Sequence, residues 1–205
     1  MSTAPSRTHR PRRDPDRRER ILAAAAELAA RRGFHTVGMA DIGAEAGIVG
    51  SGIYRHFGSK DAILVALLDR VMERLQSGAE EILARPGSDR EHLSALVQDH
   101  IAVAIQDRDV LAVYHREIHT LAEEDRRRLR RAQRHYVEDW VHVLAPLRPD
   151  LSDGEVRLAV HAAIGAIQST LFFRSGLADE RLAARLDVMT HACLGIDVNP
   201  EVNPE

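Results

Sequence analysis

Apolar side chains recur every three or four residues along most of this chain, and that spacing restricts the fold more than any other feature. Between residues 60 and 85, for example, Leu64, Leu68 and Val71 lie on one face of a predicted helix. No segment of the sequence shows the strict alternation of apolar and polar residues that is typical of a half-buried strand, and no segment repeats another. The sequence therefore predicts an all-α fold.

Capping residues mark the ends of the predicted helices. Asp14 followed by Pro15 is a typical helix start, and Ser59 is placed to cap the long helix after it. The sequences S-D-R-E at 88–91 and S-D-G-E at 152–155 are capping boxes. The predicted helices begin at residues 14, 39, 51, 59, 88, 107, 123, 152 and 179, and those that begin at 107 and 152 are expected to end near 121 and 176.

The composition favours a protein of the cytoplasm. The chain has 205 residues, enough for one substantial core or for a small head and a larger body. Its one cysteine, Cys193, excludes an internal disulfide framework and a cysteine-based zinc site. No apolar run approaches the roughly 18 residues of a membrane span, and the N-terminus lacks the apolar segment of a signal peptide. We expect a soluble, cytoplasmic protein without membrane contact.

Charge is distributed unevenly along the chain. Residues 1–60 carry 11 Lys/Arg against 6 Asp/Glu, whereas residues 61–205 carry 17 against 25. A basic head on an acidic body indicates that only the head meets a polyanion such as DNA. The alternative is a fluctuation in composition without functional meaning.

Four glycines, Gly47, Gly50, Gly52 and Gly58, fall within residues 46–60. A segment so rich in glycine either cradles a phosphate or lets two helices cross at a tight turn. The phosphate-binding motifs require G-x-x-x-x-G-K-[ST] or G-x-G-x-x-G after a strand, but the order here is G-x-x-G-x-G and no strand-like segment precedes it. The glycines therefore do not indicate a nucleotide site, and we predict no cofactor.

The same segment fits a helix-turn-helix. Gly43 is the small residue at a close helix crossing, and Gly47 is the turn, where a positive φ has no Cβ penalty. The second helix would present small and hydrogen-bonding side chains to the major groove of DNA. Lys60 follows at the start of the next helix, where its ammonium group can hold a phosphate. The residues expected to face inward are Ile42, Ala46, Ile48 and Ile53.

Residues 33–60 resemble the DNA-binding head of the TetR family of transcriptional regulators. The shared residues are Gly33-Phe34, Asp41-Ile42, Ala46-Gly47, Ile53-Tyr54, His56-Phe57 and Ser59-Lys60. The chain departs from the family pattern at Val37-Gly38 (usually two threonines), Gly43 (alanine), Val49 (a serine cap) and Ser51-Gly52 (Gly-Thr or similar). The expected DNA-contacting residues are Thr36, Met39, Ile48, Ser51, Gly52, Tyr54, Arg55, His56 and Lys60.

The resemblance implies a body that dimerises through its last two long helices and holds a small-molecule pocket. Residues 158–173 support dimerisation independently, because they are apolar nearly all round and include several small residues, so the helix must be covered on two sides. A central helix of a monomeric bundle is the alternative. Aromatic and hydrogen-bonding residues of the middle helices are the pocket candidates: Tyr114, His115, His119, Tyr136, Trp140, His161, Gln168 and Phe172.

Two other features of the body suggest different chemistry. His115 and His119 are one helical turn apart, a spacing that can bind zinc, but the sequence is not the hydrolytic motif H-E-x-x-H. The basic run 125–134 is either a solvated face balanced by nearby acids or the rim of a pocket for an anionic ligand such as an acyl-CoA. No Ser/His/Asp or Cys/His arrangement is recognisable, so we predict that the protein is not an enzyme and holds no metal.

These observations predict a ligand-responsive transcriptional regulator. It would be a homodimer that represses by binding a palindromic double-stranded operator and is released by a largely apolar small molecule. A helical adaptor without DNA binding and a His-based metal enzyme are the alternatives. The expected segments are a disordered basic arm (1–13), a helix-turn-helix domain (14–60), a helical ligand-binding and dimerisation domain (61–197) and a disordered tail (198–205).

Overall fold

The computed structural model describes residues 15–48 and 50–197, and these form eight α-helices. The helices are α1 (Pro15–Arg32), α2 (Met39–Glu45), α3 (Lys60–Leu83), α4 (Asp89–Gln106), α5 (Arg108–Glu117), α6 (Glu123–Leu144), α7 (Asp153–Gln168) and α8 (Asp179–Leu194). No strand occurs within these residues, in agreement with the all-α prediction. Some predicted features lie outside the described residues, namely the arm (1–13), the cap residue Asp14, Val49 and the tail (198–205).

The head, from α1 to the start of α3, is built around one apolar cluster. Ile21, Leu22 and Leu28 of α1 are almost completely buried, because they share one face of the helix. Ile42 of α2 and Ile53, in the turn before α3, close the cluster from the opposite side. Among the described residues of the head, no polar or charged side chain is buried.

The long helix α3 belongs to both the head and the body. It begins at the predicted cap, where the Ser59 hydroxyl accepts a hydrogen bond from the backbone N–H of Ala62 at 3.1 Å. Ile63 and Leu67 pack into the head cluster, whereas Leu64, on the neighbouring face, packs into the body cluster. The proposed division after residue 60 thus falls at the start of a shared helix.

The body comprises the rest of α3 and helices α4 to α8. Trp140 of α6 has no exposed surface, and α7 and α8 pack along each other with α4 against both. Both predicted capping boxes are confirmed. The backbone N–H of Ser88 donates to the Glu91 carboxylate at 2.7 Å, and that of Ser152 donates to the Glu155 carboxylate at 2.7 Å.

The end of α7 differs from the prediction. The α-helix stops at Gln168 and a short 3-10 helix, Ser169–Leu171, follows it, whereas the apolar pattern predicted a helix reaching residue 176. The guanidinium of Arg108 on α5 donates to the carbonyls of Thr170 (3.0 Å) and Leu171 (3.3 Å). A side chain that is distant in sequence therefore satisfies carbonyls of the 3-10 segment after α7, and local patterning does not reveal this contact.

Two further helices differ from expectation. The predicted helix 51–57 is a 3-10 helix, Gly50–Arg55, and the helix predicted to end near 121 ends at Glu117, before the 3-10 helix Ile118–Thr120. None of the described helices has the length and apolar character needed to cross a lipid bilayer.

Candidate DNA-binding head and ligand site

The turn between α2 and the 3-10 helix Gly50–Arg55 has the geometry that the glycines predicted. Gly47 has φ of 68°, and its N–H donates to the carbonyl of Ala44 at 3.1 Å. The next N–H, of Ile48, donates back to the carbonyl of Gly43 at 2.8 Å. A Cβ on Gly43 would lie 3.3 Å from the carbonyl oxygen of Ile48, so the family's alanine would fit only tightly in this conformation.

Gly52 has a packing role that the sequence did not reveal. A Cβ at this position would lie 2.8 Å from Cγ2 of Ile48, a distance that real Cβ atoms essentially never show. Gly52 is therefore needed where the 3-10 helix folds back onto Ile48. Ile53, the next residue, is 1% exposed and anchors the same segment in the head core.

The candidate DNA-contacting residues divide into exposed and packed positions. The aromatic side chain of Tyr54 is 57% exposed and does not belong to the head cluster, so its ring is available for contact with another molecule. Met39 and Ile48 are half-buried and pack against the head cluster. The Thr36 hydroxyl donates to the carbonyls of Arg32 and Gly33 at 2.8 and 3.0 Å. The exposed members are Thr36, Ser51, Tyr54 and Arg55, and the half-buried members are Met39, Ile48, Gly52, His56 and Lys60.

Lys60 makes contacts within the head. Its ammonium donates to the carbonyls of Phe34 (3.0 Å) and His35 (3.2 Å) and lies 4.9 Å from the centre of the Phe34 ring. These contacts connect the segment after α1 to the start of α3. A phosphate contact by Lys60 stays a prediction, and it would be shared with this internal role.

Gly38 replaces a residue that could have capped α2 with a hydroxyl. Instead, the backbone N–H of Gly38 donates to the Asp41 carboxylate at 2.8 Å. Val37 beside it is buried in the head core. The departure from the family's threonine pair therefore keeps the hydrogen bond from the Gly38 N–H to Asp41 but removes the side chain that could cap α2.

In the body, the structure brings four polar side chains into one chain of contacts. His100 Nδ1 lies 2.8 Å from the Tyr136 hydroxyl, and His100 Nε2 lies 3.4 Å from the amide nitrogen of Gln168. Gln168 is also next to His115 and raises the pKa of that imidazole. We call His100, His115, Tyr136 and Gln168 the polar cluster. Trp140, edge-on to the His100 ring at 6.0 Å, covers it.

Burial keeps the polar cluster uncharged. Desolvation lowers the pKa of His100 to about 4, with a small contribution from His115. Burial also lowers the pKa of His115, although the neighbouring Gln168 acts in the opposite direction, and burial raises the pKa of Tyr136. Because the Gln168 amide donates to Nε2 of a neutral His100, Nδ1 carries the hydrogen and donates to Tyr136. The tyrosine O–H then remains free to donate.

Three other candidate residues lie near the polar cluster. Tyr114 and Phe172 each contact the His115 ring edge-on, at 6.0 and 5.8 Å between ring centroids. Burial raises the pKa of Tyr114 to about 12, and its buried hydroxyl has no hydrogen-bond partner among the described residues. Trp140 contacts both His100 and Tyr136.

The structure does not bring two of the ligand candidates into this group. His119 is exposed beyond the end of α5, and His161 is exposed on the outer face of α7. His100, in contrast, was missed. His100 occupies a buried position on α4 between Val97 and Ile101, so the sequence pattern indicates an ordinary core position. The one feature that could have identified it is a single histidine on an otherwise apolar helix face.

The structure also bears on two other kinds of site, a metal site and a Ser/His/Asp arrangement. No group of three His, Cys, Asp or Glu side chains arranged for a metal occurs in the described part of the chain. Ser94, His191 and Asp187, however, do come together, although no Ser/His/Asp arrangement was recognised in the sequence. Ser94 Oγ lies 3.3 Å from His191 Nε2, and His191 Nδ1 lies 2.9 Å from the backbone carbonyl and 3.5 Å from the carboxylate of Asp187. His191 is 2% exposed, and its hydrogen bond holds α4 against α8.

The basic run 125–134 forms surface ion pairs. Arg127 Nε lies 2.5 Å from Glu123, and Arg128 pairs with Asp125 at 3.1 Å and with Asp69 of α3. These pairs agree with the interpretation of a solvated face balanced by acids.

An apolar face of α7 and α8 is left uncovered. Leu158 is 69% exposed on α7, and Val188 and Met189 are 50% and 54% exposed on α8. A Cβ added to Gly165 would meet no atom within 4 Å, so the surface there is open. His161 lies on this face rather than in the polar cluster.

Two protein-family models match the chain. The family described as "Bacterial regulatory proteins, tetR family" matches residues 21–67, and "Tetracyclin repressor-like, C-terminal domain" matches residues 86–171. Together they cover well over half of the chain. HTH-type transcriptional activator FasR of Mycolicibacterium smegmatis is 37% identical over 83 residues, which is 40% of this chain and 38% of FasR. The chain thus spans less than half the length of the curated relatives it matches.

Solved structures resemble the whole fold. The ketosteroid transcriptional regulator KstR2 of Mycobacterium tuberculosis has a TM-score of 0.74 at 23% identity, covering 87% of this chain and 93% of that one. AibR, solved in complex with isovaleryl coenzyme A and operator DNA, has a TM-score of 0.72 at 20% identity, covering 84% of this chain and 97% of AibR. The glycine turn and the exposed Tyr54 agree with both family matches. The chain belongs to the TetR family of bacterial regulatory proteins, because both family models match it.

Proposed function

We propose that this protein is a dimeric, ligand-responsive transcriptional repressor. The observation that carries the proposal is the 3-10 helix Gly50–Arg55, which is fixed in the head core by Ile53 and presents Ser51, Tyr54 and Arg55 to solvent. Side chains held in this way on a rigid helix-turn-helix suit the major groove. The excess of Lys/Arg in residues 1–60 supplies attraction to the phosphate backbone.

The exposed apolar face of α7 and α8 supports a homodimer. Leu158, Val188 and Met189 expose apolar surface that a second copy would cover, and Gly165 allows a close approach of helices. A two-fold symmetric dimer would present two heads to successive major grooves, which is the arrangement that a palindromic operator requires.

The polar cluster is the proposed effector site. Its two neutral histidines and the unpartnered hydroxyl of the neighbouring Tyr114, surrounded by aromatic and aliphatic side chains, suit a largely apolar ligand with one or two uncharged polar groups. AibR, of the same fold, was solved with both a small molecule and operator DNA, which supports control of DNA binding by a ligand here.

Helix α5 provides a physical connection between the effector site and the head. His115 belongs to the polar cluster, and two residues later the Glu117 carboxylate lies 3.0 Å from Nε2 of His35 in the head. A ligand that moves His115 therefore also moves Glu117. We infer that effector binding changes the position of the head through α5, so that effector and operator binding oppose each other.

Selection from a random pool of double-stranded DNA tests this function. The native protein is expected to enrich a palindrome, and Tyr54→Ala is expected to bind that palindrome about 10- to 100-fold more weakly. Because Tyr54 is exposed, the variant should keep the native melting temperature and dimer. Enrichment of no sequence by the native protein would contradict the proposal and favour a helical adaptor.

A further inference from the structure

A cleft between the head and the body carries an excess of arginine. It has a volume of about 400 Å³, with one wall from the end of α1 and the others from α5 and the segment after α7. Four arginines line it, and Asp109 is the one carboxylate among its lining residues. The arginines are Arg31, Arg108, Arg116 and Arg174.

Three of these arginines lack a carboxylate partner. Within the described residues, no Asp or Glu oxygen forms an ion pair with Arg108, Arg116 or Arg174. Arg31 is the exception, since it pairs with Glu45 at 3.2 Å. The lack of partners is notable because residues 61–205 contain more Asp/Glu than Lys/Arg, and other body arginines find acids.

Two of the unpaired guanidinium groups are nevertheless held in place. Arg108 is half-buried and donates to the carbonyls of Thr170, Leu171 and Phe173 at 3.0, 3.3 and 3.4 Å. Arg116 donates from Nε to the carbonyl of Ala112 at 3.2 Å, which leaves its terminal nitrogens unused. Neutral carbonyls fix these side chains without cancelling their charge. The result is a preorganised, positively charged cleft.

The cleft also has an apolar wall. Phe172 lines it and is 68% exposed, and Ala30, Ala112 and Leu171 form neighbouring apolar surface. Its volume falls in the range of sites for organic ligands rather than for simple ions. Planar guanidinium groups arranged around one space favour a group with several anionic oxygens.

We propose that this cleft binds an organic diphosphate, with its phosphates on Arg108, Arg116 and Arg174 and its organic portion on Phe172. The cleft adjoins the polar cluster at Phe172, whose ring contacts His115, but its arginines belong neither to that cluster nor to the operator surface, so the proposal goes beyond the proposed function. Nucleotides and coenzyme A derivatives share this diphosphate chemistry.

Calorimetric titration of the full chain, without DNA, tests the site. ADP and coenzyme A are the diphosphate probes, inorganic pyrophosphate supplies the phosphates alone, and adenosine lacks them. We expect saturable binding of ADP or coenzyme A, weaker binding of pyrophosphate and none of adenosine. Tighter binding of coenzyme A than of ADP would assign the cleft to thioester carriers, and the reverse order to nucleotides.

Arg116→Gln and Arg174→Gln are the informative variants, because both side chains are exposed and neither change should disturb folding. Each is expected to weaken diphosphate binding about tenfold. Arg131→Gln on α6, also exposed, is the matched control and should bind as the native protein does. Absence of diphosphate binding, native affinity in both cleft variants or an equal loss in the control would overturn the proposal. Loss of DNA affinity in the cleft variants without any diphosphate binding would likewise overturn it and assign the arginines to the DNA backbone.

Discussion

The head and the body have cores of different chemistry. The buried side chains of the described head residues are all apolar, whereas the body buries five polar or charged side chains: His100, Glu117, Thr170, Thr190 and His191. An apolar core has no hydrogen-bonding requirement. In the body, a buried polar group without a partner, such as the Tyr114 hydroxyl, raises the free energy of the folded state, so a ligand that supplied a partner would stabilise the packing there. The comparison indicates a head with a fully apolar core attached to a body whose core can respond to an added hydrogen-bond partner.

The largest expected effect tests the rigidity of the head. Ile53→Ala removes a buried side chain from the head cluster and is expected to cost about 2–5 kcal/mol of unfolding free energy. Urea unfolding followed by circular dichroism measures the loss. Tyr54→Ala, one position later and exposed, is the control and should change stability by less than about 0.5 kcal/mol. Equal losses in the two variants would show that the 3-10 helix is not anchored through Ile53.

A charge introduced on the exposed apolar face of α7 and α8 should destabilise the dimer as strongly as a charge in a protein core destabilises the fold. Leu158→Glu would place two carboxylates in a symmetric interface and is expected to weaken the dimer by about 3 kcal/mol or more. Sedimentation equilibrium measures the dissociation constant. Gln133→Glu adds the same charge to an exposed position on α6 and should leave the dimer intact. A Leu158→Glu protein with native dimer affinity would place the interface elsewhere.

The buried histidine His100 predicts a dependence of stability on pH. His100 is neutral in the folded state because its pKa is lowered to about 4, whereas in the unfolded chain it protonates below about pH 6.5. Protonation therefore favours unfolding, and the contribution of His100 to stability falls as the pH drops from 6.5 towards 4. Between pH 7.5 and pH 5 the loss is about 2 kcal/mol.

His100→Gln isolates this contribution from that of the carboxylates. Urea unfolding of the native protein and of the variant at several pH values gives the difference in stability between them, which should change by the amount attributed to His100. A difference that is constant over this pH range would mean that His100 titrates normally and that the polar cluster is hydrated.

The smallest expected effect concerns the surface of the head. Lys60→Ala removes the hydrogen bonds to Phe34 and His35 and is expected to cost about 1 kcal/mol of stability. If Lys60 also contacts a phosphate, the slope of log affinity against log salt should decrease by about 1 for each head. Filter binding to operator and to unrelated DNA at several salt concentrations measures this slope. A change in sequence preference would instead place Lys60 at the base edges.

Local features of this fold could be predicted from the sequence. The caps at Ser59, Ser88 and Ser152 and the positive φ of Gly47 each depend on residues within a few positions, and all four are found. The predicted end of the helix that begins after Ser152 was wrong, because the chain continues as a 3-10 helix whose carbonyls accept hydrogen bonds from Arg108, about 60 residues away in sequence.

Features that depend on distant contacts could not be predicted in this way. His100 meets Tyr136 of α6 and Gln168 of α7, and Ser94 meets His191 of α8, although nothing in the local sequence of α4 indicates these partners. The packing of Gly52 against Ile48 is likewise visible only once the turn is built. Tyr114, Tyr136 and Gln168 were predicted as ligand-site residues of the middle helices, which stays a prediction, and their arrangement around His100 and His115 required the fold.

The contact between His35 and Glu117 has a consequence for exchanging domains between related regulators. Glu117 belongs to the body and is almost completely buried, yet the imidazole 3.0 Å from it belongs to the head. If the head of another regulator were fused to this body, the buried Glu117 carboxylate would face whatever side chain that head has at position 35. Chimeras that retain a histidine at position 35 should therefore fold and respond to effector more often than those that do not, because the buried Glu117 carboxylate keeps its partner.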